Sequence, residues 1–155
     1  MDRFDLTEPS PEQRRTLTAG LDADERRVLL EHGTERAFCG VFLDNKQAGV
    51  YTCRLCGLPL FASNAKFDSG TGWPSFFKPF APGHVRIVRD TSHGMVRDEV
   101  VCARCASHLG HVFPDGPPPS GERHCLNSIS LSFVGAGERL ADVLSRGGAD
   151  AQVLD

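Results

Sequence analysis

The sequence predicts a mainly β, single-domain fold in which short antiparallel strands follow two helices. The main observation is that, from Cys39 onward, brief apolar segments alternate with glycine, proline, asparagine and aspartate, a pattern typical of short antiparallel strands. The second observation is that the first third of the chain lacks this pattern and carries helix signals instead. A chain of 155 residues is long enough to bury a core as one domain.

The helical start is predicted from cap residues. Ser10 can cap a first helix that has Pro11 at its first position, and a second helix is predicted from about Leu21 to His32, with Gly33 ending it. We expect residues 1–36 to form a helical segment that packs on the core, and the second helix to serve packing without chemistry.

Strands are predicted where apolar residues cluster between turn residues. The predicted strands are Val50–Thr52, Leu58–Phe61, Val85–Val88, Glu99–Val101 and Ile129–Val134. Residues 67–76 and 114–121 are rich in glycine or proline and are expected to be surface loops. Residues 37–134 would form the core, and residues 135–155 a loosely held tail with one short helix near Glu138–Leu144.

The charge balance disfavours two classes of partner. Seventeen basic and 20 acidic side chains give a net charge of −3, which offers no attraction for nucleic acid or for an anionic membrane surface. No apolar run approaches the roughly 18 residues of a membrane span, and the polar start does not resemble a secretory signal. We therefore expect a cytoplasmic protein without nucleic-acid or membrane partners, and a monomer.

Four of the six cysteines form two Cys-x-x-Cys pairs. Each pair presents two thiolates from one tight turn, so the two pairs together supply the four ligands of a tetrahedral zinc site. A closed site of four thiolates has no open position for substrate, so one structural zinc ion per chain is predicted. The alternatives are two unrelated pairs or a redox-active pair. The predicted ligands are Cys53, Cys56, Cys102 and Cys105.

A second group of residues indicates thiol chemistry. Cys125 lies between Arg123 and Asn127, a cation and an amide that can stabilise a thiolate, so Cys125 is a candidate nucleophile. Upstream, His108 and His111 can supply protons near neutral pH. Each residue alone has a structural interpretation, and the combination indicates catalysis.

From about Gly33 to Val134 the sequence resembles the methionine sulfoxide reductase B family. This resemblance implies two antiparallel sheets leaning together, the β-tent fold, preceded by helices and containing the four-cysteine zinc site. The runs that carry it, in the order of the family, are Gly33–Phe38, the first cysteine pair with Leu60 and Phe61, Lys66–Phe76, His108–Phe113 and Arg123–Ser128.

The resemblance also implies roles for the site residues. Cys125 would attack the sulfur of the R epimer of methionine sulfoxide in peptides or proteins, leaving methionine and a sulfenic acid. Trp73 would pack against the substrate methyl group, and Phe113 lies in a matching run and is a second candidate for substrate binding. The residues implied to orient the substrate, protonate its oxygen or hold the thiolate are His108, His111, Arg123 and Asn127.

The sequence departs from the family pattern at the recycling thiol. Many members carry a cysteine in a Ser-Gly-Cys-Gly-Trp pattern, where this chain has Thr71. Cys39 is then the one cysteine outside both pairs that remains to resolve a Cys125 sulfenic acid. We expect a Cys39–Cys125 disulfide that thioredoxin reduces. The alternative is a buried structural Cys39 and direct reduction by an external thiol.

Two other functions compete with this interpretation. The first is a zinc-ribbon-like protein-binding module without catalysis, which would need neither Cys125 nor the two histidines. The second is a disulfide oxidoreductase that uses a reactive Cys-x-x-Cys pair and needs no metal.

Overall fold

A computed structural model describes residues 3–154, so the first two residues of the predicted helical segment and the last residue of the predicted tail lie outside the description. Helix α1 spans Pro11–Ala19 and α2 spans Ala23–Leu29. None of the helices in the described part of the chain is both long and apolar enough to pass through a membrane. Two helices before a mainly β core were predicted, and this order is confirmed.

Both helices begin at a capping box. The Ser10 side chain accepts a hydrogen bond from the backbone N–H of Gln13, whose own side chain accepts from the N–H of Ser10, and Asp22 does the same at α2. Two otherwise unsatisfied donors are thereby paired at each helix start. Helix α2 is shorter than predicted, and the left-handed residue that follows it is His32 (φ 58°) rather than Gly33.

Nine strands of the described residues form two antiparallel sheets. The strands are β1 Gly49–Cys53, β2 Pro59–Ala62, β3 Lys66–Phe67, β4 Ser75–Phe76, β5 Val85–Asp90, β6 Arg97–Cys102, β7 His108–Phe113, β8 Arg123–Leu126 and β9 Leu131–Gly135. The small sheet has the order β2-β1-β9, and the large sheet has the order β3-β4-β8-β7-β6-β5. The predicted fold class, mainly β with two antiparallel sheets, is confirmed.

The five predicted strands match β1, β2, β5, β6 and β9, and four strands lack a counterpart in the prediction. Strands β3 and β4 lie within residues 67–76 or at their edge, a region expected to be a loop. Strands β7 and β8 carry histidine, glycine, arginine and cysteine, so no alternation of apolar and polar residues marks them. These last two strands are the ones that carry the candidate nucleophile and histidines.

Aromatic side chains join the two sheets. Phe61 of β2 and Phe76 of β4 stack with ring centroids 4.7 Å apart, and Tyr51 of β1 contacts Phe76 edge-on at 5.1 Å. All three are fully buried. Each such aromatic pair stabilises the folded protein by about 1 kcal/mol beyond the burial of its apolar surface. Because the cluster joins strands of both sheets, it holds the sheets at a fixed angle.

The tail is not loosely held, which corrects the prediction. Leu140 and Leu154 are buried with Val50 of β1, and Asp150 forms a buried ion pair with Arg104 at 2.8 Å. No helix occurs at Glu138–Leu144; within the described part of the tail, a 3₁₀ turn at Gly148–Ala151 is present instead. Spaced leucines in a tail rich in glycine and alanine are weak evidence for burial. The surface that they cover can be recognised only in the folded protein.

Candidate active site and metal centre

The four paired cysteines meet in a buried cluster. Their sulfur atoms all lie within 4.8 Å of one another, and the closest pairs, Cys53 with Cys105 and Cys56 with Cys102, are 3.5 and 3.6 Å apart. Four thiolates around one ion with bonds of about 2.3 Å are separated by about 3.8 Å. The donor set and its spacing therefore fit a closed tetrahedral metal site.

Two matching turns present these thiols. In each, the first cysteine N–H donates to the carbonyl of the residue five positions on, Leu58 or Ser107, and a left-handed residue, Gly57 (φ 81°) or Ala106 (φ 64°), closes the turn. One turn follows β1 of the small sheet and the other follows β6 of the large sheet. A metal ion bound here would tie the two sheets together.

A separate cavity of about 230 Å³ holds the candidate nucleophile. Six of the predicted site residues line it together, and none of the four paired cysteines does. The lining residues are Thr34, Thr71, Trp73, Arg97, Gly110, His111, Phe113, Arg123, Cys125 and Asn127. Two predicted site residues, His108 and Cys39, do not line this cavity.

Strand register places Cys125 beside a histidine. Cys125 of β8 pairs with His111 of β7 on one side and with Ser75 of β4 on the other. Residues paired across antiparallel strands have side chains on one face, with Cβ atoms about 5 Å apart. The neighbouring Gly110 is required by this close approach, because a Cβ there would overlap the Cys125 carbonyl oxygen.

Burial keeps the Cys125 thiol protonated in the substrate-free site. It raises the pKa of Cys125 above its ordinary value, and this outweighs the hydrogen bond from Thr71 and the charge of Arg123, which act in the opposite direction. Arg123 is itself held by Asp115 through bonds of 2.9 and 3.3 Å. The sequence suggested a stabilised thiolate, whereas burial of Cys125 in the structure favours the neutral thiol.

Each histidine of the pair is held by a carboxylate. The Nε2 of His111 lies 3.0 Å from Asp90, and the Nδ1 of His108 lies 2.5 Å from Glu99. Hydrogen bonds from Ser92 and His111 hold the pKa of Asp90 well below its usual value, so Asp90 is ionised and His111 donates from Nε2. Burial lowers the pKa of His108, which favours a neutral ring.

Arg123 and Asn127 have different surroundings. The guanidinium of Arg123 stacks over the Phe113 ring at 4.4 Å, so its charge faces the cavity as part of a cation–π pair. Asn127 is buried, and its side-chain amide donates to the Leu109 carbonyl at 3.2 Å and accepts from the Glu35 N–H at 3.0 Å. Asn127 therefore ties the segment after α2 to the strand that carries the histidines.

The chain matches a known family and is similar to several named proteins. The family described as the SelR domain matches residues 21–135, which includes every predicted site residue. The chain belongs to the SelR family. Similar proteins are the peptide methionine sulfoxide reductases MsrB of Xylella fastidiosa strain M23, 67% identical with 93% of each chain covered, and of Caulobacter vibrioides strain NA1000, 63% identical with 93% of this chain and 91% of the relative covered. MsrB of Thiobacillus denitrificans is 60% identical over 74% of this chain and 87% of its own.

In this SelR domain, Glu35 organises the cavity wall, a role that the sequence did not assign. Its carbonyl accepts from the Trp73 indole N–H at 3.0 Å, its N–H donates to Asn127, and its carboxylate accepts from the Ile129 N–H at 3.0 Å. The indole edge is thereby fixed while Trp73 lines the cavity. Glu35 lies inside the run Gly33–Phe38, which carried the resemblance to the family. Nothing in that run indicated the contact between Glu35 and Trp73.

The segment that carries Cys39 contacts the loop that carries Thr71 in the SelR domain. The Thr71 hydroxyl is 4.0 Å from the Cys125 sulfur, and the N–H of Phe38 donates to the carbonyl of Gly72 at 2.7 Å. Cys39, which follows Phe38, is exposed. It is therefore not the buried structural thiol of the alternative interpretation.

Asp90, Glu99 and Arg97 were also missed. They lie on β5 and β6, outside every motif, and the strand register brings them around the histidine pair. Nothing in the sequence distinguishes them from solvent-facing charges of a strand.

Proposed function

We propose that this protein reduces the R epimer of methionine sulfoxide in peptides and proteins to methionine, with Cys125 as nucleophile. The observation that carries the proposal is the cavity in which Cys125, His111, Trp73 and Arg123 converge, in a member of a family whose relatives are named peptide methionine sulfoxide reductases. A binding module without catalysis would have no use for a thiol paired in register with a histidine.

The first step moves a proton and an oxygen atom. Neutral His111, held by Asp90 at Nε2, accepts the Cys125 thiol proton at Nδ1 and returns it to the sulfoxide oxygen. The Cys125 sulfur attacks the substrate sulfur, and the hydroxyl formed from the sulfoxide oxygen then transfers from the substrate sulfur to the Cys125 sulfur. The sulfur–sulfur bond breaks in the same transfer, which leaves Cys125 as a sulfenic acid. The substrate is reduced to methionine, Cys125 is oxidised, and no proton is gained or lost overall.

Other cavity residues orient the substrate. The Trp73 indole, fixed at its edge by Glu35, presents its ring to the S-methyl group, and Phe113 with Arg123 forms the opposite wall. Asn127 acts by fixing the wall rather than by contacting sulfur, because its amide is already bonded to the backbone. His108 lies outside the cavity and supports His111.

The recycling step uses Cys39. The Cys39 thiol attacks the Cys125 sulfenic acid, forming a disulfide and releasing water, and thioredoxin then reduces the disulfide by thiol exchange. Exposed Cys39 is accessible to thioredoxin, and the contact of Phe38 with Gly72 places its segment against the loop that carries Thr71. The α-carbons of the two cysteines must lie within about 7 Å of each other for this disulfide to form.

The bound metal is proposed to be zinc with a structural role. The four thiolates of Cys53, Cys56, Cys102 and Cys105 would hold it, and their closed tetrahedral arrangement supplies cross-linking rather than Lewis-acid chemistry. The helical segment 1–36, the core 37–134 and the tail 135–155 are proposed to act as one domain, since the tail is buried against β1 and helix α2 contacts β7.

The test is turnover of the separated R and S epimers of a methionine sulfoxide peptide. We expect reduction of the R epimer alone, no turnover by Cys125→Ser, and loss of thioredoxin-driven but not dithiothreitol-driven turnover by Cys39→Ser. Peptide mapping after one turnover should recover a Cys39–Cys125 disulfide. Full thioredoxin-driven turnover by Cys39→Ser would instead show direct reduction of Cys125, and reduction of neither epimer would exclude the proposed function.

A further inference from the structure

A buried carboxylate that no motif marked lies in the same row of the sheet as the nucleophile. Glu99 of β6 pairs with His111 of β7, and His111 pairs with Cys125 of β8. Since paired residues share a face of the sheet, the side chains of Glu99, His111 and Cys125 form one row across three strands. Glu99 therefore belongs to the active-site face, one strand away from the proposed proton carrier.

Two imidazoles converge on this carboxylate. One oxygen of Glu99 contacts the Nδ1 of His108 at 2.5 Å and the Nδ1 of His32, and the Glu99 side chain is only 9% exposed. An ionised carboxylate only accepts hydrogen bonds, so both imidazoles must carry a proton on Nδ1. The neutral His108 ring then has a bare Nε2, in agreement with the lack of a partner for that atom among the described residues.

The carboxylate reaches His111 through His108. The ring of His108 packs edge-on against that of His111, with centroids 5.4 Å apart. The charged or titratable groups around His111 are Asp90 from β5, Glu99 and Arg97 from β6, His108 from its own strand, and Arg123 and Cys125 from β8. Of the two carboxylates, Asp90 contacts the His111 ring directly and is shared with Arg97, whereas Glu99 contacts His108.

The segment after α2 covers Glu99. His32 has a left-handed backbone (φ 58°), a conformation that is uncommon for a residue with a side chain and is retained where surrounding contacts require it. Its ring lies 5.4 Å from that of His108, and its side chain is 58% exposed. His32 therefore lies over the carboxylate on its solvent side.

We propose that Glu99 is a positioning residue for the catalytic histidine: it fixes His108 as the Nδ1–H tautomer against His111, and His32 shields it from water. This inference rests on the proposed function, in which His111 takes the Cys125 proton and returns it to the sulfoxide oxygen. It also gives the N-terminal helical segment a role in the active site.

The first test compares the His108 ring nitrogen shifts, by nuclear magnetic resonance, in the zinc-loaded Cys125→Ser protein with and without Glu99→Gln. We expect Glu99→Gln to give a mixture of His108 tautomers, because an amide can donate as well as accept hydrogen bonds and no longer requires a proton on Nδ1. Asp98→Asn is the matched control, since Asp98 is adjacent on β6 but pairs with exposed Arg89 at 3.2 Å. A His108 ring that stays wholly in the Nδ1–H tautomer in Glu99→Gln would overturn the proposal.

The same change is then measured in turnover with Cys125 present. A second His108 tautomer disturbs the packing that orients His111 for proton transfer, so Glu99→Gln should lower kcat about tenfold with KM little changed. Asp98→Asn should leave both kcat and KM unchanged. An equal loss in Asp98→Asn, or a rise in KM that accounts for the whole loss, would contradict the proposal.

A measurement on the unsubstituted protein covers the case in which Glu99→Gln fails to fold. The nitrogen shifts of His108 should report a proton on Nδ1 and none on Nε2 across the neutral range. A proton on Nε2 would overturn the proposal without any variant. This outcome is distinct from failure of the proposed function, because the tautomer is observed whether or not the protein reduces a sulfoxide.

Discussion

His111 and Cys125 are directly paired residues of adjacent antiparallel strands. Their side chains share a face of the sheet at a Cβ separation of about 5 Å, so their relative position is set by backbone hydrogen bonds rather than by a loop. The pairing needs Gly110 next to His111, where any side chain would meet the Cys125 carbonyl. A rigid strand pair is suited to transferring a proton between sulfur and imidazole.

Replacing His111 with Asn should lower kcat for sulfoxide reduction by about 10²-fold or more at neutral pH, because general acid–base catalysis by a positioned side chain contributes on that order. KM should change much less. Near-ultraviolet circular dichroism serves as the control, since an unchanged spectrum shows that the site remains folded. His108→Asn, outside the cavity, should lose less activity than His111→Asn, and the opposite order would contradict the assignment of the proton carrier.

The raised pKa of Cys125 has a measurable consequence in alkylation. Burial favours the neutral thiol, and the hydrogen bond from Thr71 opposes it, so Thr71→Ala should raise the pKa of Cys125 further. The alkylation rate of Cys125 at about pH 8 should therefore fall in Thr71→Ala, while its limiting rate at high pH stays the same. Exposed Cys39 in the same sample is the internal control and should react equally in both proteins. A faster reaction of Cys125 in Thr71→Ala would show that the Thr71 hydroxyl does not favour the thiolate.

The parts of the candidate site that the sequence predicted are those whose chemistry only a few residue types can perform. Paired cysteines, a cysteine between Arg123 and Asn127, and two nearby histidines are uncommon patterns with a specific use. Strands β1, β2, β5, β6 and β9 were predictable because they contain apolar clusters between turn residues, and the Ser10 cap was predictable from local spacing alone.

The unpredicted parts depend on contacts between distant segments. Glu35, Asp90 and Glu99 become site residues only through strand register and through the loop that Asn127 holds. Strands β7 and β8 were missed because polar site candidates and Gly110 replace the apolar alternation that marks an ordinary strand. The buried tail was missed because the surface that Leu154 covers is formed by residues about 100 positions earlier in the chain.

The position of Thr71 predicts that a second recycling route can be built. Its hydroxyl is 4.0 Å from the Cys125 sulfur, and glycines on either side, Gly70 and Gly72, leave the loop adaptable. In a Cys39→Ser background, Thr71→Cys should restore thioredoxin-driven turnover and form a disulfide between the introduced thiol and Cys125, detectable by peptide mapping. Thr71→Ser in the same background is the matched control and should restore nothing. A restored activity without the new disulfide would exclude this route.

Removal of the metal should unfold the protein rather than selectively inactivate it. The four thiols lie at the ends of β1 and β6 in different sheets, and buried thiolates without a cation repel one another. Chelation should therefore abolish the near-ultraviolet circular dichroism and the activity with the same midpoint, with one zinc ion released per chain. Readdition of zinc to the reduced chain should restore both. Loss of activity well before loss of structure would show that the metal takes part in the chemistry.

The ion pair between Arg104 and Asp150 predicts that the tail contributes to stability. Both side chains are buried, and the second terminal nitrogen of Arg104 donates to the Cys56 carbonyl at 2.9 Å. Asp150→Ala would leave the guanidinium buried without its counter-charge beside the cysteine cluster. Breaking one side of a buried pair in this way costs about 3 kcal/mol.

The measurement is urea unfolding of the zinc-loaded protein, in which the midpoint should fall while the slope stays the same. Asp98→Asn is the control because it breaks the exposed pair with Arg89, and exposed pairs contribute roughly 0–1 kcal/mol. Equal, small losses in the two variants would mean that the tail lies on the domain without stabilising it. A large loss in Asp150→Ala alone, with zinc affinity also reduced, would show that the tail supports the turn that carries Cys102 and Cys105.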